Sequence, residues 1–151
     1  MTFENIAELK SNIGAEFSST GWFEVTQDLV HQFADATKDH QWIHTDPERA
    51  AKETPFGGPI AHGFYSLSLI PMFMETMLHV SSARMGINYG MNKVRFPHHV
   101  PVGSQLKCTG KILSVEDNPS GGVKLIVLAT VLIRDVTKPA CVAELISLLF
   151  E

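Results

Sequence analysis

The chain has 151 residues, of which 44% are hydrophobic and 19% are charged, and its formal net charge at pH 7 is −4. This composition excludes a disordered chain, collagen and a disulfide scaffold, and the length predicts one domain spanning residues 1–151. The acidic balance, without a dense Lys/Arg run, argues against nucleic acid or an anionic membrane as the main partner.

Two cysteines, Cys108 and Cys141, lie in apolar runs and form neither a CxxC pair nor a metal-ligand cluster. We therefore predict two buried free thiols, which fit a reducing cytoplasm. Residues 1–13 contain Glu4 and Glu8 and lack a continuous apolar segment, so no signal peptide is predicted.

The first third of the chain predicts two helices separated by a strand. Residues 3–12 have the spacing of a short amphipathic helix, with Gly14 as its stop. Residues 17–25 favour a strand. Thr26 then favours the N-cap of a helix that ends near Thr37.

Residues 39–45 show no sustained periodicity, which predicts a loop. A short helix follows, because Asp46 can cap it and Pro47 suits its first position. It is expected to end before Thr54, since Pro55 disfavours helix in the residue that precedes it.

Residues 60–80 form the longest apolar run of the chain. Apolar side chains occupy every face of the predicted helix, so the fold must enclose it. Pro71 is expected to kink it, because proline lacks the N–H that would bond to Leu67. His62 and Glu75 within the run favour a buried helix of a soluble protein over a membrane span.

The remaining third predicts strands over residues 87–96, 105–115, 123–136 and 141–150, with a clear turn at 116–122. Successive strands joined by a short turn imply an antiparallel sheet. An α+β fold in which a strongly curved sheet wraps around the apolar helix satisfies both patterns. One small sheet cannot enclose the helix completely, so we expect a homodimer.

Asp39 and His44 are the strongest candidates for chemistry. A carboxylate and an imidazole can hold, activate and deprotonate one water molecule if they converge, which a loop allows at this spacing. The structural alternative is a capping aspartate and a surface histidine. His40, His44 and Asp46 would suit a metal only on a helix, so no metal is predicted.

Gly63 is the second candidate, because the amide at the start of the apolar helix is unpaired and could bind a carbonyl oxygen. Glycine would also let a bulky substrate approach, although it could equally serve tight packing. His62 could be a ligand or a base, but the favoured prediction is a structural, hydrogen-bonded histidine. Lys93 and Arg95 could contact a phosphate, or they could form the solvated face of a strand.

Four motifs together resemble the MaoC-type (R)-specific enoyl-CoA hydratases, the hydratase 2 group, which includes sequences similar to nodulation protein N. The similarity covers residues 18–150. The motifs are DHQWIH at 39–44, PERAA at 47–51, IAHGF at 60–64 and VRFP…VPVG at 94–103. The combination of Asp-x4-His with the downstream Ala-His-Gly carries the resemblance, and neither half would suffice alone.

The resemblance implies a hot-dog fold, a long central helix wrapped by an antiparallel sheet, and a dimer. It also implies reversible hydration of a trans-2-enoyl thioester of coenzyme A, or of acyl carrier protein, to the (R)-3-hydroxyacyl thioester. Asp39 and His44 would activate the water and return the proton to C2, and the Gly63 amide would hold the thioester oxygen. No cofactor is implied, because coenzyme A is part of the substrate.

The chain departs from the usual family motif, Gly-Asp-x-Asn-Pro-Leu-His. Lys38 replaces Gly, Gln41 replaces Asn and Trp42 replaces Pro, which affects the loop and the acyl pocket. Pro71 stands where some members have a serine, so no role is assigned there. Two alternatives stay open: a hot-dog acyl-CoA thioesterase and a non-catalytic acyl-thioester binding protein.

Overall fold

The computed structural model describes residues 1–151. The helices are α1 (Ile6–Ser11), α2 (Gln27–Thr37), α3 (Trp42–Thr45), α4 (Pro47–Glu53), α5 (Gly63–Ser68) and α6 (Ile70–Met77). The strands are β1 (Thr2–Phe3), β2 (Glu16–Ser18), β3 (Phe23–Glu24), β4 (Ile60–Ala61), β5 (His79–Val80), β6 (Met85–Arg95), β7 (Val100–Pro101), β8 (Gln105–Asp117), β9 (Val123–Ile133) and β10 (Cys141–Phe150).

The main sheet has six strands. Five of them follow the order β2-β8-β9-β10-β6, and the sixth, β3, pairs with β8 alongside β2. Every pairing in it is antiparallel, as predicted. Burial alternates along the whole of β9, so one face of the sheet packs on the core. Register shifts in β8 and between β10 and β6 mark bulges, which bend strands and curve a sheet.

The helix predicted over residues 60–80 is two helices, α5 and α6, and Leu69 lies at the junction between them. Pro71 lies in the first turn of α6, which agrees with the predicted kink. The buried face of the pair, including Tyr65, Ile70 and Phe73, packs into the largest apolar cluster together with residues of β8, β9 and β10. No helix is both long and apolar enough to cross a membrane.

One face of the α5–α6 pair is not covered within the chain. Phe64 is 68% exposed and Met72 is 38% exposed, which agrees with the prediction that one small sheet cannot enclose the helix completely. Strand β6, whose outer edge has no partner, also exposes apolar side chains, with Tyr89 the most accessible at 67%. The chain alone therefore leaves an apolar area around β6 and the central helices open.

Two predicted elements at the N-terminal end are shorter than expected. The strand predicted over residues 17–25 is interrupted between β2 and β3, where Ser19 turns inward and its hydroxyl accepts a hydrogen bond from Cys108 N at 3.2 Å. The helix predicted over residues 3–12 begins only at Ile6, because Phe3 belongs to β1, which pairs with β5 in parallel.

Both cysteines, Cys108 and Cys141, are buried free thiols, as predicted.

The turn between β8 and β9 supplies a matched test of the fold. Gly121 and Gly122 both have positive φ, at 97° and 68°, but only at Gly122 would an added Cβ meet a backbone atom, the Leu149 carbonyl oxygen at 2.1 Å. Gly121→Ala should cost about 1–2 kcal/mol from backbone strain alone, whereas Gly122→Ala adds a steric clash. Urea denaturation should therefore rank Gly122→Ala as clearly less stable, and equal losses would contradict this packing.

Candidate active site

The end of α2 directs the chain toward Asp39. Thr26 caps this helix, as predicted, by accepting a hydrogen bond from Leu29 N, and Lys38 ends it with a left-handed backbone at φ 64°. Lys38 replaces the glycine of the usual motif, and the structure shows the left-handed conformation that glycine adopts most easily. The reversal leaves Asp39 in an irregular segment, with its side chain 57% exposed.

His44 lies on a helical turn, α3, and not in the predicted loop. Four residues are too few to produce a periodic pattern, so the sequence could not reveal this turn. Two side chains of α2 hold it in place: Gln27 Nε2 donates to the His44 carbonyl at 2.8 Å, and His31 Nε2 lies 3.0 Å from the Thr45 carbonyl. The turn thus has a fixed position against α2.

Trp42, which replaces the proline of the usual motif, links α3 to α4. The guanidinium of Arg49 lies over the Trp42 ring, 4.1 Å from its centroid. Asp46 lies between the two helices and caps α4 by accepting a hydrogen bond from Arg49 N at 3.0 Å, as predicted. The segment around His44 is therefore held by specific contacts even though Trp42 replaces the proline of the usual motif.

A backbone carbonyl of β4 orients the His44 ring. His44 Nδ1 lies 2.6 Å from the Ile60 carbonyl oxygen, which can only accept, so Nδ1 carries the proton. Nε2 of the neutral ring is then unprotonated and can accept a proton from water. Strand β4 is itself paired with β7, which fixes the carbonyl. The main chain thus selects the tautomer that a general base needs.

His62 completes a cluster with Asp39 and His44. One polar atom of each of the three side chains lies within 4.8 Å of the other two. His62 Nε2 donates to the Asp39 carbonyl at 2.9 Å and lies 3.9 Å from the Asp39 carboxylate, and the His62 and His44 rings stack with centroids 3.8 Å apart. A water making hydrogen bonds of about 2.8 Å to each side can bridge the gap between Asp39 and His44.

Burial lowers the pKa of His44 below its ordinary value, and the neighbouring His62 adds to this effect. The bond to Ile60 and the charge of Asp39 act in the opposite direction but are weaker than the burial. His44 is 7% exposed. The ring is therefore neutral at pH 7, and a neutral ring can accept a proton.

Gly63 begins α5, so its amide has no acceptor within the helix. The residue lines a cavity of about 300 Å³ together with His44. A Cβ at this position would lie 3.1 Å from the Phe96 ring, which makes the space beside the amide tight. The absence of a side chain therefore keeps the approach to the amide open.

The cavity also includes His98 and His99, which no motif in the sequence had indicated. They follow Phe96 in the segment that leads into β7, and the pairing of β7 with β4 brings them beside Gly63. Burial and the neighbouring His98 lower the pKa of His99. The only signal in the sequence was the consecutive pair of histidines after Pro97, which by itself points to no particular chemistry.

The three side chains of the cluster are close enough together to hold a metal ion, but the His62 nitrogen that faces Asp39 carries a proton. His62 faces Asp39 through Nε2, the nitrogen that donates to a carbonyl, and His44 Nδ1 is bonded to Ile60. His40 is not part of the cluster and lies 3.7 Å from Asp35 on the surface. Since a metal ligand must offer a lone pair, His62 Nε2 cannot serve while it donates to the Asp39 carbonyl, whereas His44 Nε2 keeps its lone pair.

Neither basic residue considered for phosphate lies among the side chains of this cavity. Lys93 Nζ is 3.4 Å from a Glu144 carboxylate oxygen, and Arg95 donates to the Val94 carbonyl at 2.7 Å. Both side chains are on β6, which the sheet order places at the edge of the sheet.

Comparison with known proteins identifies the family. Residues 8–128 match the model of the MaoC like domain. The chain is 50% identical over 143 residues to 3-hydroxyacyl-thioester dehydratase Z of Mycobacterium tuberculosis, covering 95% of this chain and 94% of that protein. It is 40% identical over 148 residues to nodulation protein N of Rhizobium leguminosarum bv. viciae, covering 96% and 91%.

A solved structure agrees with these relatives. The unliganded R-hydratase PhaJ1 of Pseudomonas aeruginosa superposes with a TM-score of 0.78 and 25% identity, covering 99% of this chain and 87% of that one. The (R)-hydratase of A. caviae, at 20% identity and a TM-score of 0.73, has the same fold. The hot-dog fold and the resemblance are confirmed: the chain belongs to the MaoC-like family of thioester dehydratases and hydratases and is a hydro-lyase.

Proposed function

We propose that the protein adds water reversibly to trans-2-enoyl thioesters of coenzyme A or of acyl carrier protein, giving (R)-3-hydroxyacyl thioesters. The observation that carries this proposal is the convergence of Asp39 and His44, whose polar atoms lie within 4.8 Å, beside a cavity lined by the Gly63 backbone. The dehydratase and R-hydratase relatives support the same reaction class.

Asp39 and His44 together bind the attacking water. The unprotonated Nε2 of His44 accepts one proton of the water while the Asp39 carboxylate accepts a hydrogen bond from the other. The water oxygen forms a bond to C3 as the C2–C3 double bond opens and the thioester becomes an enolate. The proton removed from the water is then returned to C2, so no net proton is gained or lost.

The Gly63 amide stabilises the enolate. Negative charge develops on the thioester oxygen during the addition, and a donor fixed at that place stabilises the transition state by about 3 kcal/mol. The rigid start of α5 supplies the donor without reorganisation, and the missing side chain gives the thioester access. This division of roles accounts for all three predicted site residues.

The reaction needs no metal and no redox cofactor, because the acid–base pair and the amide supply its two requirements. Coenzyme A enters only as part of the substrate. The whole chain, residues 1–151, would act as one domain in the cytoplasm, where the buried free thiols Cys108 and Cys141 stay reduced.

We also propose that the active protein is a homodimer. The unpaired edge strand β6 exposes four large apolar side chains, Met85, Ile87, Tyr89 and Met91, next to the open face of α5 and α6. Apolar area of this kind on an edge strand marks an interface. A second copy that covers it would also enclose the central helices, which the sequence requires.

Asp39→Asn and His44→Asn test the proposed chemistry. Each should reduce hydration of crotonyl-CoA, followed by loss of enoyl absorbance, by at least about a hundredfold, since each removes one acid–base group. The circular dichroism spectrum should stay unchanged. Asp35→Asn and His40→Asn are matched controls, because this exposed pair lies outside the cluster, and both should keep nearly full activity.

Three results would reassign the chemistry. Near-normal rates in Asp39→Asn or His44→Asn would remove those residues from the mechanism. Release of free coenzyme A, detected with a thiol reagent and without loss of the double bond, would identify a thioesterase. No turnover of short, medium or long enoyl chains, together with thermal stabilisation by acyl-CoA, would instead indicate a binding protein.

The lowered pKa of His44 predicts how stability changes with pH. Above about pH 6.5 the ring is neutral in both states, so its contribution is complete. Below that pH the unfolded chain takes up a proton that the folded protein resists, so the free energy of unfolding falls. Urea melts between about pH 7.5 and 5.5 should show a smaller loss for His44→Asn than for the wild type, and parallel curves would contradict the assignment.

Tyr89→Asp tests the dimer. A charge in the middle of the apolar area should convert the dimer to a monomer, measured by light scattering after size exclusion. Ile13→Asp is the control, since Ile13 is a comparably exposed apolar residue, at 53%, outside β6 and the central helices. A monomeric wild type would refute the proposal, as would a Tyr89→Asp variant that stays dimeric.

A further inference from the structure

Ser66 is a buried polar residue that the proposed chemistry has not used. It lies on α5 and is only 1% exposed, and its hydroxyl has no hydrogen-bond partner in the protein. The residue lines the same cavity of about 300 Å³ as His44 and Gly63. An unpaired hydroxyl in a buried place is uncommon and calls for an explanation.

Ser68, the other serine of α5, makes the hydrogen bond that Ser66 lacks. Ser68 donates its hydroxyl to the Phe64 carbonyl one turn back, at 2.7 Å, which is the usual solution for a helical serine. For Ser66 the corresponding acceptor is the His62 carbonyl, which instead receives the amides of Tyr65 and Ser66 at 3.0 and 3.4 Å. The Ser66 hydroxyl therefore has no partner within its own helix.

The spacing of Ser66 and Gly63 places both residues on one side of α5. Residues three apart share a helix face, so Ser66 and Gly63 are neighbours along the same side of α5. Both line the cavity, and the cavity reaches His44. An acceptor bound against the Gly63 amide would thus lie on the side of the helix that carries the free hydroxyl.

We propose that Ser66 is a further catalytic residue, whose hydroxyl donates a second hydrogen bond to the thioester oxygen beside the Gly63 amide. The inference rests on the proposed function for the reaction that it assists. One backbone amide gives the oxygen a single donor, whereas two preorganised donors hold the developing negative charge better. The ligand pairs the Ser66 hydroxyl, which explains why it is unpaired in the free protein.

Ser66→Ala should separate activity from stability. Removing the donor should lower kcat/KM for crotonyl-CoA by about a hundredfold. The melting temperature should stay the same or rise, because the hydroxyl has no partner to lose and alanine favours helix. Ser68→Ala is the matched control, with a hydroxyl bonded within its own helix, and its kcat/KM should stay within about threefold of the wild type.

A spectroscopic readout keeps the inference independent of turnover. Butyryl-CoA has no double bond to hydrate, and a ¹³C label in its thioester carbonyl gives an isotope-edited infrared band that moves to lower frequency as hydrogen bonds are added. With wild type and Ser68→Ala the bound band should lie at the same low frequency, and with Ser66→Ala it should move up. An identical band in Ser66→Ala would overturn the inference.

The two measurements also separate this inference from the proposed function. If the wild type hydrates no enoyl-CoA while the infrared band still depends on Ser66, the reaction is wrong and Ser66 remains a thioester ligand. If hydration proceeds and Ser66→Ala retains the wild-type kcat/KM, the reaction stands and the catalytic role of Ser66 is refuted.

Discussion

The hydrogen bond between His44 Nδ1 and the Ile60 carbonyl is the interaction on which the rest of the site depends. It fixes the ring, selects the tautomer and leaves Nε2 free for chemistry. The carbonyl is held by the two-stranded pairing of β4 with β7, and the turn that carries His44 is held from behind by α2. The His44 side chain, which lies on a single helical turn, thereby has the rigidity that its proposed catalytic role requires.

The α5–α6 pair, which carries the longest apolar run of the chain, contributes to the site through the first turn of α5. Its start after β4 places the Gly63 amide close to His44, and its buried face anchors it in the core between the helices and the sheet. Pro71 divides the helix but leaves this first turn intact, because the break comes after Ser68. The same helix thus positions both the amide and, in our proposal, the Ser66 hydroxyl.

Most of the architecture was readable from the sequence, because long elements have long patterns. Alternating apolar residues predict the strands β8, β9 and β10, and turn residues predict the connection between β8 and β9. The missing N–H of Pro71 predicts the break between α5 and α6. The features that could not be predicted are either very short elements or consequences of tertiary contacts. Helix α3 is one turn, and the interruption near Ser19 depends on a hydrogen bond to the neighbouring strand.

The site was predicted in part for the same reason. Asp39, His44 and Gly63 were named from motifs, and the structure brings Asp39 and His44 within 4.8 Å and places Gly63 with His44 in one cavity. His62 was predicted to be a structural histidine, and its stacking on His44 could not be inferred without coordinates. Unpaired groups such as the Ser66 hydroxyl have no signature in a sequence, because the missing partner is a property of the fold.

A structure of the Asp39→Asn protein with crotonyl-CoA bound would test the central claim most directly. It should show the thioester oxygen about 3 Å from the Gly63 amide, with C3 of the acyl chain facing the open space between residue 39 and His44. A thioester bound elsewhere, or with its oxygen turned away from the start of α5, would contradict the account.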